Sequence, residues 1–275
     1  MVTTILADNN TLIDKYYLGE PAFSAFIEDK GVSVLFDVGY SGVFLQNALK
    51  MGISFKNLQY VCLSHGHMDH TWGLDPLIRY YTELEQEHTA HTEPGLIAHP
   101  SVFRSISVDG FSEAGSLLSA EKLGCHFDMC LSREPKYITG QLVFLGEIPR
   151  TNDFEVECPI GVSGGKPDYV KDDSALVYTG EDGLVIITGC SHSGICNIVE
   201  YAKRVTGETV IADIIGGFHL LNPSRERLEG TCRYLQAQKI KGIHPCHCTD
   251  LRSKITLAAA VPVEETGVSA RYEFR

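Results

Sequence analysis

Ser64-His65-Gly66-His67-Met68-Asp69-His70-Thr71-Trp72-Gly73-Leu74 is the stretch on which the reading of this chain turns. The apolar run 59–64 in front of it predicts a short strand, and residues 69–84 behind it predict a helix. Extended residues two apart point the same way, so His65 and His67 can reach one cation. Asp69 and His70 follow at the expected start of the helix and can face a second cation. Zinc takes imidazole and carboxylate donors at about 2.0–2.2 Å. A core has no use for four such groups in six residues, because each buried polar group needs a partner. The run therefore points to metal binding by His65, His67, Asp69 and His70.

The rest of the composition narrows the setting. The chain has 275 residues, 44% hydrophobic and 21% charged, as in an ordinary globular protein able to bury a sizeable core. A single domain over 1–275 is expected, because no linker-like segment divides the chain. Lys plus Arg is 23 against 35 for Asp plus Glu, a formal charge of −12. Such a surface repels phosphate backbones and argues against a nucleic-acid partner. A small anionic substrate stays open, because bound cations dominate the field inside a pocket. The nine cysteines do not form a secreted disulfide pattern, and the opening residues lack the basic and apolar segments of a signal peptide. No apolar run is long enough to cross a bilayer. A cytoplasmic protein with reduced thiols and no membrane partner is expected.

Two hairpins are expected, 22–28 with 31–38 and 175–179 with 184–188. Helices are expected over 44–51, 194–204, 224–238 (capped by Ser224) and 250–260. Further strands fall at 95–98, 142–145, 209–216, 240–244 and 268–274. Residues 85–94 read as a surface loop and 149–172 as a long loop near the active face. The order gives an α+β fold with two sheets face to face and helices outside.

The His-x-His-x-Asp-His run resembles the signature of the metallo-β-lactamase superfamily. That resemblance implies a four-layer αββα sandwich with a one- or two-metal site in a shallow cleft at the sheet edges. Val34-Leu35-Phe36-Asp37-Val38-Gly39 then looks like the superfamily's early strand, and Asp37 would orient a ligand rather than bind metal. Sites of this kind need histidines from later loops. Thr188-Gly189-Cys190-Ser191-His192-Ser193-Gly194 and Pro245-Cys246-His247-Cys248-Thr249 both lie between a strand and a helix. His192 is assigned to complete the site of His65 and His67, and His247 that of Asp69 and His70. Gly216-Gly217-Phe218-His219-Leu220 ends a strand on the same edge. His219 is left open as a substrate contact, a catalytic acid, a ligand, or a residue supporting a ligand.

Taken together these motifs resemble the branch of 7,8-dihydropterin-6-methyl-4-(β-D-ribofuranosyl)aminobenzene 5′-phosphate synthase-like proteins, from about Thr4 to Arg275. Two departures stand out. Cys190 occupies the place where many superfamily members carry a bridging Asp; it either binds metal as a thiolate or packs. In Gly19-Glu20-Pro21-Ala22-Phe23-Ser24 the Glu of the branch is present, but its following His is not. Cys246 and Cys248 flank His247 and either pack beside the site or take a direct part in it.

The resulting expectation is a metal-dependent hydrolase-type enzyme acting on a small molecule, a phosphorylated pterin among the candidates. The cofactor is one or two divalent ions, zinc first, with iron and manganese open. A metal lowers the pKa of water from 15.7 toward about 7 and polarises a phosphoryl or carbonyl oxygen. Asp69 and His219 are the catalytic candidates. The rival readings are a phosphodiester, thioester or lactone hydrolase, and an iron, redox or binding protein on the same fold. The sequence leaves the oligomeric state open.

Overall fold

The computed structural model describes residues 1–155 and 158–275. β1 (Val2–Ala7), β2 (Ser24–Asp29) and β3 (Val32–Phe36) form an antiparallel meander. From β3 the sheet continues in parallel through β4 (Tyr60–Cys62), β5 (Gly95–Ala98) and β6 (Asp128–Leu131). Helices make the crossovers: α1 (Val43–Met51), then α2 (Met68–Thr71) with α3 (Leu74–Gln86), then the short α4 (Ala120–Leu123).

A second sheet starts with β7 (Lys136–Tyr137) and β8 (Leu142–Phe144). A small separate hairpin follows, β9 (Val162–Ser163) with β10 (Lys166–Pro167). β11 (Ala175–Gly180) and β12 (Gly183–Thr188) then form the main hairpin of the second sheet. Parallel β13 (Ile211–Gly217) and β14 (Gly242–Cys246) extend it, with α5 (Ile195–Thr206) and α6 (Arg225–Gln238) as crossovers. α7 (Leu251–Ala258) leads to β15 (Arg271–Glu273), which returns to pair with β1 in the first sheet.

Period-two alternation explains the layers. Ala25, Ile27, Val34 and Phe36 of the first sheet pack with Leu176, Tyr178, Val185 and Ile187 of the second. The opposite faces carry Phe26 and Leu35 toward α1 and α3, and Val177, Leu184 and Ile186 toward α5 and α6. Each hairpin is apolar on both faces because a helix layer covers one and the other sheet covers the second. This is the expected four-layer sandwich. Among the described residues no helix is long and apolar enough to cross a membrane.

Several boundaries differ from the sequence reading. The helix expected over 69–84 is two helices, because a Cβ at Gly73 would overlap the Val38 carbonyl oxygen. The Gly73 N–H donates to Gly39 O at 3.1 Å instead of continuing the helical ladder. The loop expected over 149–172 contains the β9–β10 hairpin, and its residues 156 and 157 lie outside the described residues. The final strand shortens to Arg271–Glu273, since Ser269 adopts φ 75 in a turn. β1 is absent from the sequence reading; its partners are β2 and the far end of the chain. Ser224 caps α6 as expected, accepting from Arg227 N, while Asp250, read as the first residue of its helix, is instead the cap of α7 and accepts from Ser253 N at 2.7 Å.

Parallel strands share a direction, so their C-terminal ends meet on one edge. There β3 delivers Asp37, β4 His65, β12 Cys190, β13 His219 and β14 His247.

Candidate metal centre

Asp37 is fully buried at the base of this edge. Its carboxylate accepts hydrogen bonds from Ser64 N (2.7 Å), Ser64 Oγ (2.7 Å) and His70 Nδ1 (2.7 Å). A carboxylate can only accept, so His70 carries its proton on Nδ1 and presents a bare Nε2. Ser64 Oγ gives its one proton to Asp37 and so accepts from His65 Nδ1 at 2.9 Å. His65 therefore also presents a bare Nε2. One carboxylate fixes the tautomer of two histidines.

The ring centroids of His65, His67 and His192 form a triangle with sides of 4.7, 4.7 and 4.8 Å. His65 Nε2 lies 3.0 Å from His67 Nδ1 and 3.2 Å from His192 Nε2. One lone pair cannot satisfy two donors, so this crowding calls for a shared cation. Two nitrogens at about 2.0–2.1 Å from a tetrahedral ion sit about 3.3–3.4 Å apart, close to these separations. Burial lowers all three histidines, His67 to about 4, and the neighbouring imidazoles lower His65 and His192 further. They are neutral and have lone pairs to give. His67 Nε2 and His192 Nδ1, on the far sides of their rings, are buried without a protein partner.

A second group lies beside the first. His70 Nε2 is 3.2 Å from His247 Nε2, and Asp69 Oδ2 is 3.3 Å from His247 Nε2 and 3.7 Å from His70 Nε2. Burial works against the Asp69 carboxylate, but His70 and His247 hold it well below its ordinary range. Burial would lower His247, yet its hydrogen bond to Asp69 and the adjacent Cys248 and Asp8 raise it to about 9. The structure brings the residues together in two groups, His65, His67 and His192 in one and Asp69, His70 and His247 in the other, the grouping that the family resemblance implies.

Cys190 stands between them. Its Sγ is 3.3 Å from His70 Nε2, and it forms ligand-sized clusters with His65 and His192 and with His70 and His247. A third cluster joins it to His219 and Cys248. Burial pushes the Cys190 thiol up, and hydrogen bonding to Cys248 adds to this. The His219 ring is 4.3 Å from that of His192 and its Nδ1 is buried without a partner, while the His219 backbone N–H donates to Cys248 Sγ at 3.2 Å. Cys246 points away into the core between the sheets. Glu20 makes no contact with the histidines; it accepts from Tyr40 N and from Ser41 N and Oγ, tying down the loop after β3.

Sequence reasoning missed the support from β1. Asp8 accepts from His247 N at 2.9 Å, and Asn9 Oδ1 lies 3.3 Å from His247 Nδ1. It also missed Asp172, which accepts from Gly66 N at 2.8 Å and pairs with Arg104. No local pattern marks these residues; a buried carboxylate at the end of an apolar strand, as in Asp8, is the nearest signal. The whole group opens into a cleft of about 890 Å³ lined by His67, Asp69, Cys190, His192, His219 and His247.

The fold is an αββα sandwich with a candidate metal-donor set at its edge. The chain belongs to the metallo-beta-lactamase superfamily, whose family model matches residues 18–206. It is 32% identical over 250 residues to the 7,8-dihydropterin-6-methyl-4-(beta-D-ribofuranosyl)-aminobenzene-5'-phosphate synthase of Methanocaldococcus jannaschii, covering 85% of this chain and 81% of that protein. An uncharacterized protein of the same organism is 32% identical over 263 residues, covering 92% and 93%. Among solved structures, a metal-dependent hydrolase of the beta-lactamase superfamily superposes with a TM-score of 0.82 at 26% identity, covering 99% of this chain and 98% of that one. Both the superfamily and the branch resemblance read from the motifs stand on these matches.

Proposed function

We propose that this protein is a metal-dependent hydrolase acting on a small molecule at the cleft edge, with zinc as the first-choice ion. One observation carries the reading: two adjacent donor groups, His65-His67-His192 and Asp69-His70-His247, share the Cys190 sulfur on one cleft floor. Those residues would hold one or two ions, with the Cys190 sulfur within reach of both donor groups as a thiolate. A divalent ion there supplies Lewis acidity and a water acidic enough to react at neutral pH.

The chain's own groups supply the rest. Asp69, ionised and 28% exposed, faces the cleft and can hold an attacking water by hydrogen bond. Asp37 and Ser64 keep the His65 and His70 lone pairs aimed inward. His219 lines the same cleft and is placed to give a proton to a leaving group. The nine free cysteines suit a reducing compartment such as the cytoplasm.

A synthase acting on a phosphorylated pterin, as the name of one relative suggests, is the second reading, and its support is the 32% identity. The cleft lining weighs against a strongly anionic substrate. Among the described residues Lys254 is its one Lys or Arg, set against Asp250, Glu264 and Glu265.

The test is metal content and turnover of wild type and His67→Ala, both purified without chelator, against phosphodiester, thioester and lactone substrates. The wild type should carry one or two equivalents of metal. The variant should lose metal and at least roughly two orders of magnitude in rate. Equal metal and equal rates in both proteins would sink the proposal.

A further inference from the structure

A second cavity of about 570 Å³ opens on the flank of the metal-ligand cleft. The two share Pro21, His67, Asp69 and Ile160 as walls. Beyond those shared residues its lining is Tyr40, Met68, Val108, Phe111 and Ala114, with no Lys, Arg or Glu. Two large side chains stand open on it: Phe111 is 54% exposed and Tyr40 43% exposed. Such exposure beside a site needs a reason, because apolar rings gain by leaving water.

Both walls are held in place. Tyr40 stacks on Trp72 with ring centroids 5.0 Å apart and planes 26° from parallel, and its backbone N–H donates to Glu20 at 3.1 Å. The Phe111 turn is closed by its paired backbone bonds with Val108 (2.8 and 3.2 Å). It is fastened to α2 by Met68 N on Ala114 O (2.8 Å) and by Trp72 Nε1 on Gly115 O (2.7 Å). Aromatic rings prefer offset stacking or edge contact, so an exposed Tyr40 face backed by Trp72 suits a flat ring.

We propose that this cavity, walled by Tyr40 and Phe111, is the subsite for an uncharged aromatic portion of the substrate. The reacting group of that substrate then lies at the shared His67–Asp69 edge. The assignment deepens the hydrolase reading and rests on it for the position of the reacting group only. The substrate would straddle the edge, with its ring in the apolar lobe and its polar remainder in the larger one.

Trp72 is the chain's single tryptophan and sits one ring behind Tyr40, so it reports on the subsite without any turnover. The probe is 4-nitrobenzyl alcohol, an uncharged ring that quenches indole emission, titrated into the protein as purified and after metal chelation. Saturable quenching with one site per chain is expected in both forms. Phe111→Ser should weaken it tenfold or more, while Leu49→Ser, at an 80% exposed apolar position on α1, should leave it unchanged. Absence of saturable quenching, or equal affinity in Phe111→Ser, overturns the proposal. So does a wild-type dimer in sedimentation velocity that Phe111→Ser converts to monomer, since a second copy would then be the occupant. Phe111-dependent binding by a protein that is purified without metal, takes up none when it is supplied and turns over no substrate would refute the hydrolase reading and leave the aromatic subsite standing. Metal and turnover without probe binding would do the reverse.

Discussion

Asp37 is the residue on which most of the site depends, although it faces no substrate. It adopts φ 56, and Ser191, His219 and His247 adopt φ 60, 49 and 50, all left-handed and all at strand ends on the cleft edge. Such backbone costs on the order of 1 kcal/mol or more per residue and persists where surrounding contacts impose it. Asp37→Asn would keep the shape but turn an NH₂ group toward either Ser64 or His70. Where it meets His70, the ring proton moves to Nε2 and the lone pair leaves the site. Metal affinity should fall about 10- to 100-fold, measured by competition with a chromophoric chelator. His65, His67, Asp69 and His70 could be singled out in the sequence because their close spacing at a strand end is local information, whereas His192 and His247 were assigned through the family resemblance. Asp8, Asn9 and Asp172 were not, because only folding brings positions 8 and 247, or 66 and 172, together. A separate residue-scale prediction concerns His99. Its Nδ1 accepts from Ser101 N and its Nε2–H meets Glu147 at 3.2 Å, with Arg133 also on Glu147. Burial holds His99 below its ordinary value of 6.5. Burial opposes, but His99 and Arg133 hold Glu147 below 4.5. In both cases the unfolded chain binds protons more readily, so stability falls as pH drops from 7 through about 6 to 4. His99→Gln should flatten the upper part of that fall in melting temperature; an unchanged profile would show that the pair is not coupled to folding.

At the scale of elements, the hairpins were the most legible feature. Their strands are short apolar runs, and Asp29-Lys30-Gly31 and Glu181-Asp182-Gly183 mark the turns between them. The helix after the histidine loop was read too long for a physical reason. Trp72 and Leu74 continue a helical pattern, and nothing local says that Gly73 must touch Val38. That contact fixes where α2 ends and so how Asp69 and His70 face the cleft. Gly73→Ala would force a methyl group into a backbone carbonyl, which cannot retreat as a flexible side chain would. A loss of about 2–4 kcal/mol is expected, seen as a lower urea midpoint with unchanged slope. β1 was not read although the final strand was, because the partners of β1 are β2 and the far end of the chain, which no local pattern reveals.

Across the whole molecule, the two sheets each bring a hairpin followed by parallel strands to one edge, and the donors come from both sheets. Metal held there would tie the first sheet, through His65 and His70, to the second, through His192 and His247. The chain's −12 charge and the acidic residues around Lys254 favour cations at this edge over polyanions. A ligand that binds the folded chain alone stabilises it by RT ln(1 + [L]/Kd), about 2.7 kcal/mol at a hundredfold excess over Kd. For a chain of this size that is worth roughly 5–10 °C in melting temperature. Chelation should therefore lower Tm by about this amount. Zinc should restore it in the wild type and only in part in His192→Ala, where one of the two donor groups is incomplete. A melting temperature indifferent to chelator and zinc, in protein shown by elemental analysis to change its metal content, would mean that the ions do not bridge the two sheets.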